Sequence, residues 1–509
     1  MNKSELFREE ITKGYSFEGE SMLLGTAMLD REPVLQLPVR MPLKTFNRHG
    51  LIAGATGTGK TKSLQVLSEG LSDAGVPVLL MDIKGDLSGL SQPGKPHRKI
   101  DERHHYIGTP WQPLAYPVEL LSISEAEGIK LRATVSEFGP VLLGKILELN
   151  DTQSGVVSLV FKYCDDHQLP LLDLKDFRIA LRYLSNEGKS EIQKEYGRIS
   201  SASVGAILRK VVEIEEQGAD LFFGEPSFEV NDLLQTREGK GVINILRLMD
   251  VQGRPKMFST FMLCLLAEVY ELFPEQGDKE TPELVIFIDE AHLIFKEASK
   301  ALLSQIETII KLIRSKGVGI IFVTQSPADV PQEVLGQLGL KIQHALRAFT
   351  ARDRKAIKLA AENYPLTEYY KTAEELTSLG IGEALITVLN EDGVPTPLAR
   401  TLLRAPFSRM DIISQKEFQQ LLRGSLLKQK YNQTIDRESA YEKLSRKLEQ
   451  AADQQGSDVI PQKSKKSKTE PTFLDTLSKN TMVRQMGRTL IRELSRGLLG
   501  VLGNGSKRR

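Results

Sequence analysis

The apolar positions of this chain fall into short unbroken runs, separated by longer stretches with helical spacing. Gly50-Leu51-Ile52-Ala53 and Val76-Pro77-Val78-Leu79-Leu80-Met81 come first, followed by 241–246 (GVINIL), 284–289 (LVIFID), 319–324 (GIIFVT) and 384–389 (ALITVL). Each has the length and composition of a strand covered on both faces. Helical patterns at roughly 255–273 and 296–316 lie between the later runs. This alternation predicts an α/β fold with a parallel sheet and flanking helices, and the spacing of the first two runs predicts a right-handed βαβ unit.

Other stretches depart from that rhythm. Residues 16–45 alternate short apolar pairs with Gly, Asp and Pro, which predicts a small β-rich unit over 1–45. The core pattern occupies 46–100 and returns over 240–405, so 101–239, rich in Glu, Lys and Leu, reads as a mainly helical insertion. A charged helical segment follows at 406–455. Residues 456–472 (GSDVIPQKSKKSKTEPT) have the composition of a disordered linker, and 473–509 form a basic amphipathic tail.

Between the first strand and its helix, residues 54–61 read GATGTGKT. Gly54, Gly57 and Gly59 allow the backbone to curl, and Ala55, Thr56 and Thr58 complete a loop whose N–H groups can converge on an anion. Lys60 can reach the β- and γ-phosphates of a nucleotide, and Thr61 can hold Mg2+ through its hydroxyl. A strand before and a helix after are the context this motif requires. The loop therefore implies binding of a nucleoside triphosphate.

The run Leu284-Val285-Ile286-Phe287-Ile288 delivers Asp289 and Glu290 at its carboxyl end. In an open parallel sheet that edge lies beside the phosphate loop. Asp289 there can hold Mg2+ through water, and Glu290 can act as general base toward the attacking water. The next strand ends in Gln325, placed either to contact the γ-phosphate or the lytic water, or simply to cap a solvated strand end. Hydrolysis also calls for a positive charge in the transition state. Arg314, Arg347, Arg352 and Arg354 are candidates, each with an ordinary surface role as the alternative.

Composition narrows the class. The 509 residues carry 67 Lys and Arg against 66 Asp and Glu, a net charge of +1, so any nucleic-acid surface must be local. The two cysteines, Cys164 and Cys264, exclude a disulfide framework and a cysteine-based zinc site. No apolar run is long enough for a membrane span, and the charged N-terminus lacks the apolar stretch of a signal peptide, so a cytoplasmic location is expected.

Four stretches, RHGLIAGATGTGKT (48–61), LLMDIKGD (79–86), VIFIDEAH (285–292) and RSKGVGIIFVTQSPADVPQEVLGQLG (314–339), resemble the HerA/FtsK class of ring-forming P-loop ATPases. Within it the chain is most similar to the bacterial YjgR-type ATPases described as HerA-helicase-like. The resemblance covers roughly 45–405 and implies a RecA-like fold and a Mg2+-dependent ATP hydrolase. It also implies that Lys60 and Thr61 bind phosphate and metal, that Asp289 and Glu290 are the Walker B carboxylate and the base, and that Gln325 is the sensor. Arg314 matches the first arginine of the class's Arg-Lys-x-Gly stretch, a finger acting between subunits, although Ser315 is inserted before the lysine. A homo-oligomer, a hexameric ring, moving double-stranded DNA is the implied assembly. A regulatory or assembly ATPase with a protein partner is the alternative.

From Pro461 to Arg509 the chain has twelve Lys and Arg and three acidic residues, a net of +9. Arg484, Arg488, Arg492 and Arg496 recur every four residues and form one stripe on a helix. Such a helix suits DNA phosphates, an anionic membrane surface, an acidic partner or the protein's own ATPase domain.

Overall fold

The computed structural model describes residues 2–456, apart from 252, 276, 278, 298, 299, 434 and 436. The chain forms two compact units, one of Met1–Leu131 with Phe228–Gln433, the other of Arg132–Ser227 with Thr434–Arg509. The basic tail with Arg484, Arg488, Arg492 and Arg496 lies outside the described residues, as does the linker from 457 on.

The first unit begins with strands β1 (Ser21–Leu29), β2 (Glu32–Pro42), β3 (Gly50–Ala53), β4 (Val78–Asp82), β5 (Val118–Ser122) and β6 (Ile129–Lys130). A separate hairpin follows, β7 (Thr236–Arg237) and β8 (Lys240–Gly241). Then come β9 (Ile243–Arg247), β10 (Leu284–Ile288), β11 (Val318–Thr324), β12 (Leu340–Gln343), β13 (Glu383–Thr387) and β14 (Ala399–Leu403). Among the described residues, all but the hairpin join one twelve-stranded sheet in the order β2-β1-β14-β13-β12-β3-β11-β10-β4-β9-β5-β6. From β12 through β6 every pairing is parallel, and from β12 back to β2 every pairing is antiparallel.

The central strands are buried along their whole length, all seven residues of β11 included, which is why they read as unbroken apolar runs. The helices Pro255–Leu272 and Lys300–Ile313 lie within the two helical patterns of the sequence.

Three expectations change. The N-terminal segment is no separate unit, because β1 pairs with β14 (Gly25 opposite Leu403) and extends the main sheet. The segment 384–389 enters the sheet antiparallel, as β13. The expected insertion at 101–239 is shorter as a compact body, since β5 and β6 add a parallel edge to the sheet before the chain leaves at 132.

The second unit is helical: Val135–Ile146, Asp151–Asp166, Leu174–Ser185, Lys189–Glu195, Ser201–Glu216 and the later Ala440–Gly456. Thr134 with Glu137, Asn150 with Gln153 and Asp173 with Asp176 form capping boxes that satisfy N-terminal N–H groups of the first three. Phe161, Phe177, Leu181, Ile207 and Val211 are buried in its core. Ala440–Gly456 is docked by Tyr441 N–H donating to Asp176 Oδ1 at 2.7 Å and Ala440 N–H to the Pro170 carbonyl at 2.9 Å. Among the described residues no helix is long and apolar enough to cross a membrane.

Candidate nucleotide site

Four adjacent parallel strands, β3, β11, β10 and β4, end on the same edge of the sheet, within two residues of one another. Thr324 lies opposite Ala53, Phe322 opposite Ile288, and Ile288 opposite Met81. The residues that follow these ends are Gly54, Gln325, Asp289 and the turn begun by Asp82, so four chemically distinct segments share one edge.

The loop 54–61 turns as its glycines require. Gly54, Gly57 and Gly59 have φ of 156°, 77° and 116°, in the region side chains avoid. A Cβ on Gly54 would also come within 2.5 Å of His344 Cβ. The loop is pinned by Gly54 N–H to the Thr324 carbonyl (3.2 Å), Ala55 N–H to the Ala345 carbonyl (2.8 Å) and Gly382 N–H to the Thr58 carbonyl (3.1 Å). Thr56 and Gly57 stay exposed at the tip. The helix Lys60–Asp73 then opens on Gly59 with no side-chain cap, leaving first-turn N–H groups and the positive end of the dipole for an anion. Thr61 is half-buried on that first turn. The Lys60 ammonium is buried, donating to the Gly54 and Ala55 carbonyls at 2.6 and 3.1 Å. Burial, and then the charge of Lys84, lower its pKa.

Asp289 and Glu290 are both buried. Asp289 Oδ1 accepts the Glu290 N–H at 2.9 Å, and burial raises its pKa in spite of Lys84 nearby. The Lys84 ammonium lies 2.7 Å from Glu290 Oε1 and 3.7 Å from Asp289 Oδ2. Glu290 Oε2 accepts no hydrogen bond among the described residues, and His292 Nδ1 is 3.2 Å away. Burial pushes Glu290 upward, but the Lys84 hydrogen bond and charge, with His292 and Lys60, carry it below the usual carboxylate range.

Gln325 is exposed and, with Ala55, Thr56 and Arg347, lines a cavity of about 560 Å³. Arg314 is not gathered into this site. It stands on the turn Arg314–Lys316 that enters β11, at the opposite edge of the sheet. Seven residues of extended chain put roughly 20 Å between that edge and the phosphate loop. Arg352 and Arg354 lie exposed on the helix Ala351–Ala361.

Three contributors carried no role in the sequence reading. Lys84 and Asp82 belong to Asp82-Ile83-Lys84-Gly85-Asp86, whose signal was an acid-rich turn directly after a buried strand. His344, buried under the loop, shares a 2.8 Å hydrogen bond with Ser63 Oγ, and nothing in its local sequence distinguished it.

Comparison with known proteins fits this geometry. The model of the family described as "Helicase HerA-like C-terminal" matches residues 28–509. The chain belongs to that family. As a member of the HerA-like C-terminal family it is a P-loop ATPase.

It is 23% identical over 358 residues to the DNA double-strand break repair helicase HerA of Sulfolobus acidocaldarius, covering 68% of this chain and 64% of the relative. The HerA of Saccharolobus solfataricus is also 23% identical, over 386 residues, covering 74% and 68%. The chain thus spans about two thirds of the length of these curated relatives. Among solved structures, the unbound bacterial conjugative coupling protein TrwBdeltaN70 superposes with a TM-score of 0.50 at 14% identity, covering 80% of this chain and 94% of that one. The plasmid coupling protein TrwB in complex with ADP and Mg2+ gives 0.50 at 13%, with the same coverage. At such identity these two share the fold.

Proposed function

We propose that this HerA-like chain is a Mg2+-dependent ATP hydrolase working as a ring-forming DNA translocase or helicase-like motor. The supporting observation is the shared strand edge, where a glycine-built anion loop faces two buried carboxylates. Lys60 and the first-turn N–H groups hold the β- and γ-phosphates. Thr61 and Asp289 would hold the metal; a hydroxyl at a helix start and a buried carboxylate form the hard-oxygen donor set that Mg2+ takes. When bound, Mg2+ would neutralise charge on the phosphate oxygens. Glu290 Oε2, which accepts no hydrogen bond among the described residues, accepts the proton of a water whose oxygen attacks the γ-phosphorus as the bond to the β-bridging oxygen breaks. Gln325, next along the edge, orients that water or the γ-phosphate.

The DNA half of the reading rests on the HerA relatives and the net +9 of residues 461–509. A partner-protein ATPase is the second reading, favoured by the net charge of only +1 over the whole chain. ATP turnover measured with and without double-stranded DNA separates them. Severalfold stimulation, weakening as salt rises, supports the motor; hydrolysis indifferent to DNA at low salt supports the protein partner.

A further inference from the structure

We propose that Lys84 is a positioning residue for Glu290, holding one carboxylate oxygen so that the other faces the attacking water. The inference rests on the ATPase reading above and adds to it a residue from a fourth strand end.

The turn itself is built to present this lysine. Asp82, the last residue of β4, is buried, and its two carboxylate oxygens accept the N–H groups of Gly85 (2.7 Å) and Leu87 (3.2 Å). Gly85 has φ 77°, which closes the turn and suits glycine. Because β4 and β10 pair in parallel with Met81 beside Ile288, the turn after β4 stands next to Asp289-Glu290. The outcome is a Lys84 ammonium at 2.7 Å from Glu290 Oε1 and only 3.7 Å from Asp289 Oδ2, a contact weighted toward the base.

The two oxygens of Glu290 are therefore unlike. Oε1 is held by a charge-assisted bond, whereas buried Oε2 accepts no hydrogen bond among the described residues and has His292 Nδ1 at 3.2 Å as its neighbour. A carboxylate free to rotate about its last torsion would present either oxygen in many directions, and one anchored oxygen removes that freedom.

The test is ATP turnover by full-length wild type, Lys84→Gln, Lys84→Arg and Glu290→Gln, alongside binding of a fluorescent ATP analogue. Lys84→Gln should retain analogue binding within about threefold and lose about tenfold in kcat, part of the ~10²–10⁴ that a placed general base contributes. Lys84→Arg should recover most of that loss. Unchanged kcat in Lys84→Gln overturns the proposal while leaving the ATPase reading intact. Loss of analogue binding to the level of Lys60→Ala overturns it too, making Lys84 a phosphate ligand. No turnover by wild type at any pH overturns the ATPase reading itself, and this proposal with it.

Discussion

Glu290 has φ 48°, a conformation that costs a non-glycine residue about 1–2 kcal/mol, and it holds this at the end of a fully buried strand. Strain of that kind persists where surrounding contacts over-determine it, here the Ala291 N–H to the Val323 carbonyl (3.0 Å) and the Lys84 ion pair. Glu290→Gln keeps size and packing but removes the proposed base. Analogue binding should remain while kcat falls by at least about 10²-fold, in single-turnover assays as well. Two buried histidines give a second residue-scale prediction. His49 and His344 have pKa values lowered from 6.5 to about 4, chiefly by burial. Folded, both stay neutral down to about pH 4; unfolded, both bind protons below about 6.5. The unfolded state thus takes up more protons as pH falls through this window, and each histidine withdraws about 3 kcal/mol of stability by pH 4. Urea midpoints between pH 7 and 4 should drop accordingly, and His344→Gln should flatten that slope.

Local pattern decided what was readable at this scale. Glycines at fixed spacing, a lysine and a threonine announce an anion loop unaided, and Asp289-Glu290 gain meaning from the apolar run before them. Lys84 acts on Glu290 from a separate strand about two hundred residues earlier in the chain, so its partner becomes apparent only once β4 and β10 are seen side by side.

At the level of elements, the helix behind the phosphate loop is tied to the segment that follows β14. Glu69, on Lys60–Asp73, accepts from Arg404 Nη1 (2.8 Å), the N–H groups of Phe407 (3.1 Å) and Ser408 (2.9 Å) and Ser408 Oγ (2.7 Å). Arg404 also donates to the Val66 carbonyl at 3.1 Å. Both charges are buried, so removing one strands the other. Arg404→Ala should cost about 3–5 kcal/mol in chemical denaturation, and Glu69→Gln less, since Gln keeps an acceptor. Strand runs and the two long helices were readable because burial on both faces and 3.6-residue periodicity are local signals. The joining of β1 to β14 was not: Gly25 and Leu403 meet across almost the whole first unit, and a strand's own pattern does not name its neighbour. The two-residue β6 was too short to stand out, and β5 is interrupted by the buried Glu119 in a segment dominated by helical spacing.

For the whole molecule, Arg314 is the informative position. Roughly 20 Å from its own phosphate loop, it can serve hydrolysis only in another copy of the chain. If it is a finger, Arg314→Ala and Lys60→Ala should each be inactive alone, yet mixed rings should regain part of the wild-type rate. A mixture as inactive as its components removes Arg314 from the role. Light scattering should report one mass corresponding to a closed ring in the presence of ATP and Mg2+.

The central claim, that Lys60 and Glu290 define one hydrolytic centre, is tested most directly by steady-state phosphate release from ATP and Mg2+. Wild type should turn over, with Lys60→Ala inactive through lost nucleotide binding and Glu290→Gln inactive with binding kept. Wild-type rates in both variants would contradict the account.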